Sequence, residues 1–310
     1  MSKTCHYPQD VDAIANEIYQ KVVQKSQKPS FSILIKESQE DVPVLVSKFG
    51  GIPYLPQGTS LPRDSRGNIL GLFMQLDLGD IYQKLEGELS KVEFAKLFPN
   101  TGILQIWLAD TQHYGHNLET PAIQDGFRIV YHPNVDEWSI AQQDWDTINN
   151  EYIPAVENFA YSPLFDGYLN AIPLKVVEST DCVNGTNPEF PHFFYKAINF
   201  LLGNSEDYLK GLEGKKLQEL FTQVGERTIN TYNHSTLCKL GGYPYFVNGG
   251  INHNPEYQTM NVLLLQISSI YWKHSTKILW FPRNGVVNFF VNPEETSNGN
   301  FDNVFYNLEY

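Results

Sequence analysis

Hydrophobic residues recur along the chain in two rhythms. Val11, Ile14, Ala15, Ile18 and Val22 share one helical face behind Asp10, which suits a cap, so a helix is predicted to open the chain. Short continuous apolar runs read instead as buried strands: Phe31 to Ile35, Leu72 to Leu76, Gly102 to Leu108, Ile172 to Val177, Val262 to Ile267 and Gly285 to Val291. Val130-Tyr131 and Phe305-Tyr306 mark closing strands. Helical character returns over Asp80 to Leu97, with Ile81, Leu85, Leu89, Val92 and Phe94 as its apolar positions. It returns again over Phe193 to Val224 as two or three helices broken by Gly203, Gly211 and Gly214. Glu137 to Tyr168 shows no sustained period, and Tyr271 to Phe281 reads as loop and short strand. Strands separated by turns, with helices gathered in a few places, predict an α+β protein with largely antiparallel sheets and helices on the outside.

The pattern also repeats. Lys48-Phe49-Gly50-Gly51-Ile52-Pro53-Tyr54 returns as Lys239-Leu240-Gly241-Gly242-Tyr243-Pro244-Tyr245, with five identities in seven positions. The same offset carries Leu72-Phe73-Met74-Gln75-Leu76 onto Leu263-Leu264-Leu265-Gln266-Ile267, an apolar strand interrupted by glutamine at one place. These agreements predict two related halves: residues 1–136 with the opening helix, a connecting segment at 137–170, and residues 171–310 with a helical insertion, together one compact unit. Paired glycines permit positive φ and the proline fixes the exit of the chain, so each Gly-Gly-x-Pro is expected to be a structural corner. Lys48 and Lys239 either lie along the surface with their stems packed or aim a cation at a ligand.

Composition narrows the function. Thirty-five acidic against twenty-two basic residues give a net charge of −13, which argues against nucleic acid as a partner and suits a basic protein. No run approaches the roughly 18 apolar residues of a membrane helix, and Met1 to Gln27 lacks the apolar stretch of a secretory signal. A soluble, cytoplasmic protein is expected. Cys5, Cys182 and Cys238 form neither a disulfide framework nor a zinc spacing. No nucleophile elbow, phosphate loop, zincin or dinucleotide fingerprint occurs, so no cofactor or metal is expected. Asp110-x-x-His113-x-x-His116 could gather a metal only if a turn brought its members together, and its surroundings read as exposed loop. Gln75 and Gln266 must find hydrogen bonds inside apolar strands. They either satisfy backbone groups or read a ligand from one cleft.

At Lys48 to Tyr54, the Gln75-Leu76-Asp77 strand end, the Gly102 to Leu108 strand and their later counterparts, the chain resembles the YwqG-like family of bacterial proteins. The resemblance implies a cytoplasmic α+β protein with two related halves and supplies no activity, the family being a domain of unknown function. It points to Gly50, Gly51, Pro53, Gln75 and Asp77, to Asp110, Tyr114 and Gly115 in an acidic loop, and to Gly242, Pro244 and Gln266. Ser268 stands where an aspartate is expected, and Ile278 to Gly285 departs from the family's Trp-Gly-Asp-x-Gly segment. The leading expectation is a non-enzymatic binding or interaction protein whose acidic, tyrosine-bearing surface engages, and so neutralises, a basic protein. The alternative is an enzyme or small-ligand-binding protein with a cleft between the halves. There Asp77 would act as acid or base, while Gln75, Gln266, Lys48, Lys239, Asp110 and Tyr114 would bind.

Overall fold

A computed structural model describes residues 11–36, 41–136, 138–202, 214–231, 238–248, 251, 254–272 and 276–310. Asp10, Cys5, Gly203 and Gly211 lie outside them. Helix α1 (Val11–Ser26) leads into β1 (Lys28–Ile35), β2 (Lys48–Phe49) and β3 (Gly71–Asp77). Two helices, α2 (Leu78–Lys84) and α3 (Glu88–Leu97), precede β4 (Ile103–Leu108) and β5 (Phe127–His132). The connecting segment contains α4 (Trp145–Thr147), a π turn (Ile148–Tyr152) and α5 (Ile153–Glu157). Next come β6 (Ile172–Asp181), α6 (Phe190–Leu202), α7 (Lys215–Thr231), β7 (Lys239–Gly241) and β8 (Val262–Ser268). A small hairpin, β9 (Ile270–Trp272) with β10 (Thr276–Leu279), is followed by β11 (Val286–Val291) and β12 (Val304–Glu309). The fold is α+β.

Ten strands form one antiparallel sheet in the order β12-β11-β8-β7-β1-β6-β2-β3-β4-β5. Read inward from its two ends, the order meets β12 and β5, then β11 and β4, β8 and β3, β7 and β2, and finally β1 and β6 at the centre. Registers correspond as well: Lys48 lies opposite Gln75, and Lys239 opposite Gln266. A shift in pairing falls between Leu72 and Met74 on one side and between Leu263 and Leu265 on the other. The leading strands are exchanged, since β1 pairs with β7 and β6 pairs with β2. The expected antiparallel strands thus join in one continuous sheet.

The sheet curls until its outer strands approach. The rings of Phe127 and Tyr306 come within 5.1 Å, Tyr306 N donates to Pro121 O at 3.0 Å, and Gln124 Nε2 donates to Phe301 O at 2.6 Å. One core fills the curl and takes Ile148, Tyr152, Leu164 and Tyr168 from the connecting segment. Outside it, α1 packs on α6 and α7 through Ala15, Ile18, Val22, Phe194, Leu220 and Val224, so the opening helix lies against the insertion of the second half.

Local departures from expectation have physical causes. The helical pattern of 80–97 is split because Glu178 Oε1 accepts from Glu86 N and Gly87 N at 2.5 and 2.9 Å, satisfying donors at the start of a second helix. Leu89 and Val92 are exposed there. The corner glycines match pairwise in φ: 57° and 75° at Gly50 and Gly51, 64° and 77° at Gly241 and Gly242. These are left-handed conformations that glycine adopts without strain.

Candidate functional site

Gln75 and Gln266 are fully buried. Gln75 Oε1 accepts from Tyr54 N at 3.1 Å and Gln105 Nε2 at 3.0 Å, while its Nε2 donates to Val44 O at 2.6 Å and Val46 O at 3.1 Å. The second half repeats the arrangement: Tyr245 N donates to Gln266 Oε1 at 2.7 Å, and Asn288 Nδ2, in place of Gln105, donates to Tyr245 O at 3.2 Å. Both amides thus hold the chain leaving a glycine corner against the sheet. Four strands lie between β3 and β8, which carry the two amides.

The paired lysines are not on the surface. Lys48 is 1% exposed, and its Nζ donates to Pro43 O, Val44 O and Ile52 O at 3.2, 2.8 and 2.8 Å. Burial pushes its ammonium down to about 7. Lys239 Nζ meets Asp181 Oδ2 at 2.7 Å in an equally buried place, where desolvation lowers its pKa against the pull of that carboxylate. The same Asp181 oxygen accepts from Tyr243 N at 2.7 Å. Both cations are aimed at their own corners.

Asp77 caps α2 by accepting from Asp80 N at 2.9 Å, and burial pushes its carboxyl above the usual range. Its own N–H donates to Ser47 Oγ, as that of Ser268 does to Cys238 Sγ. A β hairpin, not a helix, follows Ser268, so the second half has no helix start there for an aspartate to cap. Asp110 accepts from Ala160 N and Tyr161 N at 3.0 and 2.7 Å, tying its loop to the connecting segment. Tyr114, at φ 50°, packs edge-on against Phe281, and its carbonyl accepts from the Tyr306 hydroxyl at 3.2 Å. His113 stacks on Tyr310, and His116 packs edge-on to Tyr306. Among the described residues no three His, Cys, Asp or Glu side chains gather as metal ligands.

What the sequence pattern missed is a groove of about 1270 Å³ at the seam of the curled sheet. Its walls are the turn at 63–66, the loop from Ala109 to Gly126, Arg128 of β5, and the end of β12 with Asn248 and Ile251. Three of the chain's five arginines, Arg63, Arg66 and Arg128, stand on it. The turn is built by Asp64, whose oxygens accept from Arg66 N, Asn68 N and Asn68 Nδ2 at 3.0, 2.8 and 2.8 Å. Asp125 accepts from Ser65 N and Ser65 Oγ at 2.5 and 3.1 Å, locking turn to loop. Across the groove Glu309 Oε2 accepts from Val247 N and Asn248 N at 2.6 and 2.8 Å. All three carboxylates therefore serve internal donors. Arg63 pairs with Glu151 at 2.5 Å. Arg66 is 78% exposed and only 3.9 Å from Asp64, and Arg128 Nε, although buried, has no partner among the described residues. Burial, with His113 adding to it, pushes His116 down to about 4, so its imidazole is neutral near pH 7.

The chain is thus an α+β protein whose antiparallel sheet curls around one core and carries a groove at its seam. The chain belongs to the family described as Domain of unknown function (DUF1963), which matches residues 47–309 and in which the YwqG-like proteins fall. No curated protein matches the chain. Among the described residues no helix is long and apolar enough to cross a membrane.

Proposed function

We propose that this chain is a non-enzymatic binding protein whose ligand seat is the seam groove, on a scaffold made by duplication of one module. The groove carries the reading. There the exposed Arg66, two histidines and the exposed apolar Leu118 and Ile123 converge on a volume larger than the roughly 300–1,000 Å³ of small-ligand pockets. Duplication is supported by the matched corners, registers and strand order, and the ligand seat then uses what the halves do not share: the 63–66 turn and the 109–126 loop. The site residues expected from sequence serve this scaffold. Gln75, Gln266, Lys48 and Lys239 fasten the corners; Asp110 and Tyr114 hold the groove's loop in place.

The test is hydrogen exchange on the full chain with and without a mixed library of small organic acids and short peptides. New protection confined to 63–66, 109–126 and 307–310 supports the seat. Protection that appears only elsewhere, or none with any member, overturns it.

A further inference from the structure

Three large apolar side chains stand outside the core on one short stretch of the connecting segment: Trp138 at 73% exposed, Trp145 at 46% and Ile140 at 38%. Single exposed apolar residues are ordinary, but here polar residues between them, Ser139 and Gln143, are the buried ones. Hydrogen bonds fix this inversion. Gln143 Oε1 accepts from Leu55 N at 2.9 Å, its Nε2 donates to Pro53 O at 2.8 Å, and Asp144 N donates to Leu55 O at 2.8 Å. Tight turns, in which Ala141 N donates to Trp138 O and Gln143 N to Ile140 O, keep the stretch as one protrusion beside the chain that leaves the first glycine corner. A platform held in this way gives up little freedom when it binds. Its charge has one sign. From residue 129 to 174 the chain carries seven carboxylates and no lysine or arginine, more than half of the net −13. Glu151 of this segment meets Arg63, but Asp136, Asp144 and Asp146, which belong to the protrusion, make no ion pair among the described residues. Hydrogen bonds from Thr147 hold the Asp144 carboxyl below its usual range, so its charge persists near pH 7.

We propose that this protrusion docks an arginine-bearing segment of a partner protein, whose guanidinium groups lie on the indoles of Trp138 and Trp145 and pair with the neighbouring aspartates. None of these residues lines the seam groove, so the surface is independent of the seat proposed above. Cations are drawn to aromatic faces, to indole most strongly. Guanidinium both stacks on a ring and meets a carboxylate with two parallel hydrogen bonds, which a lysine does not reproduce. Exposed tryptophan is the kind of anchor that carries interface energy, and a surface of one charge speeds the encounter with a partner of the other.

The experiment titrates the full chain with two fluorescent peptides, one alternating serine with arginine and one alternating serine with lysine, and with spermine. The arginine peptide is expected to bind roughly threefold or more tightly than the lysine peptide. Trp138→Ala and Trp145→Ala are each expected to weaken it roughly threefold, and Asp146→Lys roughly fivefold, with unchanged melting temperatures because all three side chains are exposed. Glu226→Lys, exposed on α7, makes the same change in net charge away from the protrusion and is expected to leave the affinity within about twofold. Equal weakening by Glu226→Lys and Asp146→Lys, or tryptophan variants that bind like the parent chain, would show attraction by net charge alone and overturn the proposal. Spermine that binds as tightly as the arginine peptide, with the same dependence on Trp138 and Trp145, would assign the surface to a polyamine and overturn the protein partner. Absence of binding by the arginine peptide overturns it outright.

Discussion

Four hydrogen bonds converge on the Gln75 amide, and three of them fix chain that has left the sheet. A buried donor or acceptor left without a partner costs about 1–3 kcal/mol. Gln75→Leu strips Tyr54 N and two carbonyls at once, so stability should fall by about 2–4 kcal/mol, read from urea midpoints, while any ligand affinity of the groove stays within twofold. A loss of affinity without a loss of stability would return this glutamine to the role of ligand reader. Histidines act at the same scale. Burial pushes both His116 and His132 down to about 4, and His132 Nε2 lies 3.2 Å from Gln105 Oε1, an acceptor that the neutral ring's N–H can satisfy. Their folded values lie below the unfolded value of about 6.5. Their contribution is therefore complete above pH 6.5 and lost as pH falls toward 4, because the unfolded chain takes up the protons first. Denaturant unfolding at pH 5 should show roughly 1–2 kcal/mol less stability per histidine than at pH 7. His132→Gln should remove about half of that slope, and an unaltered slope would contradict the assignment.

Among elements, the glycine corners carry the sharpest contrast. A Cβ at Gly50 would lie 2.6 Å from Asn170 O and 2.9 Å from Tyr168 O, on a backbone at φ 57°. Gly58 also has positive φ but meets nothing within 4 Å. Gly58→Ala should cost roughly 1 kcal/mol from backbone strain alone, and Gly50→Ala at least about 2 kcal/mol more because the carbonyls cannot retreat. Equal thermal shifts for the two variants would show that the corner yields. These corners, and the strands that follow them, are legible in sequence because their signals are local: paired glycines, a proline and a continuous apolar run. The same holds for α1, whose face repeats every turn. The split between α2 and α3 is not local, since its cause is Glu178, some ninety residues away. The helical segment at 145–157 escapes notice because its π turn breaks the period on which a helix is recognised. Nor could the burial of Lys48 be read from its neighbours, because its acceptors are backbone carbonyls, which every residue type supplies. The groove draws its walls from well-separated segments, and no short window of residues contains it.

At the scale of the whole molecule, strand exchange decides how the halves can exist apart. Residues 1–136 contain β1 but not β7, against which it pairs, and contain β2 but not β6. Residues 171–310 have the complementary deficit. Each half also leaves its share of one common core uncovered, since Phe73, Tyr114 and Phe281 meet ring to ring across the division. The helical layer is divided too, because α1 buries Ile18 and Val22 against α6 and α7. A protein with so many contacts across its division should unfold in one transition, and neither half should be a folded monomer. Expressed alone, 1–136 and 171–310 should elute as dimers or larger species, and no monomeric fraction of either should show a cooperative melt. The dimer has a structural rationale. Corresponding strands occupy matched places about the β1–β6 centre, so two copies of one half could exchange leading strands as the two halves of the intact chain do. A sharp, reversible melt from monomeric 1–136, by light scattering and circular dichroism together, would mean that β1 can fold back onto β2. The exchange would then be a consequence of linking the halves and not a requirement of the fold.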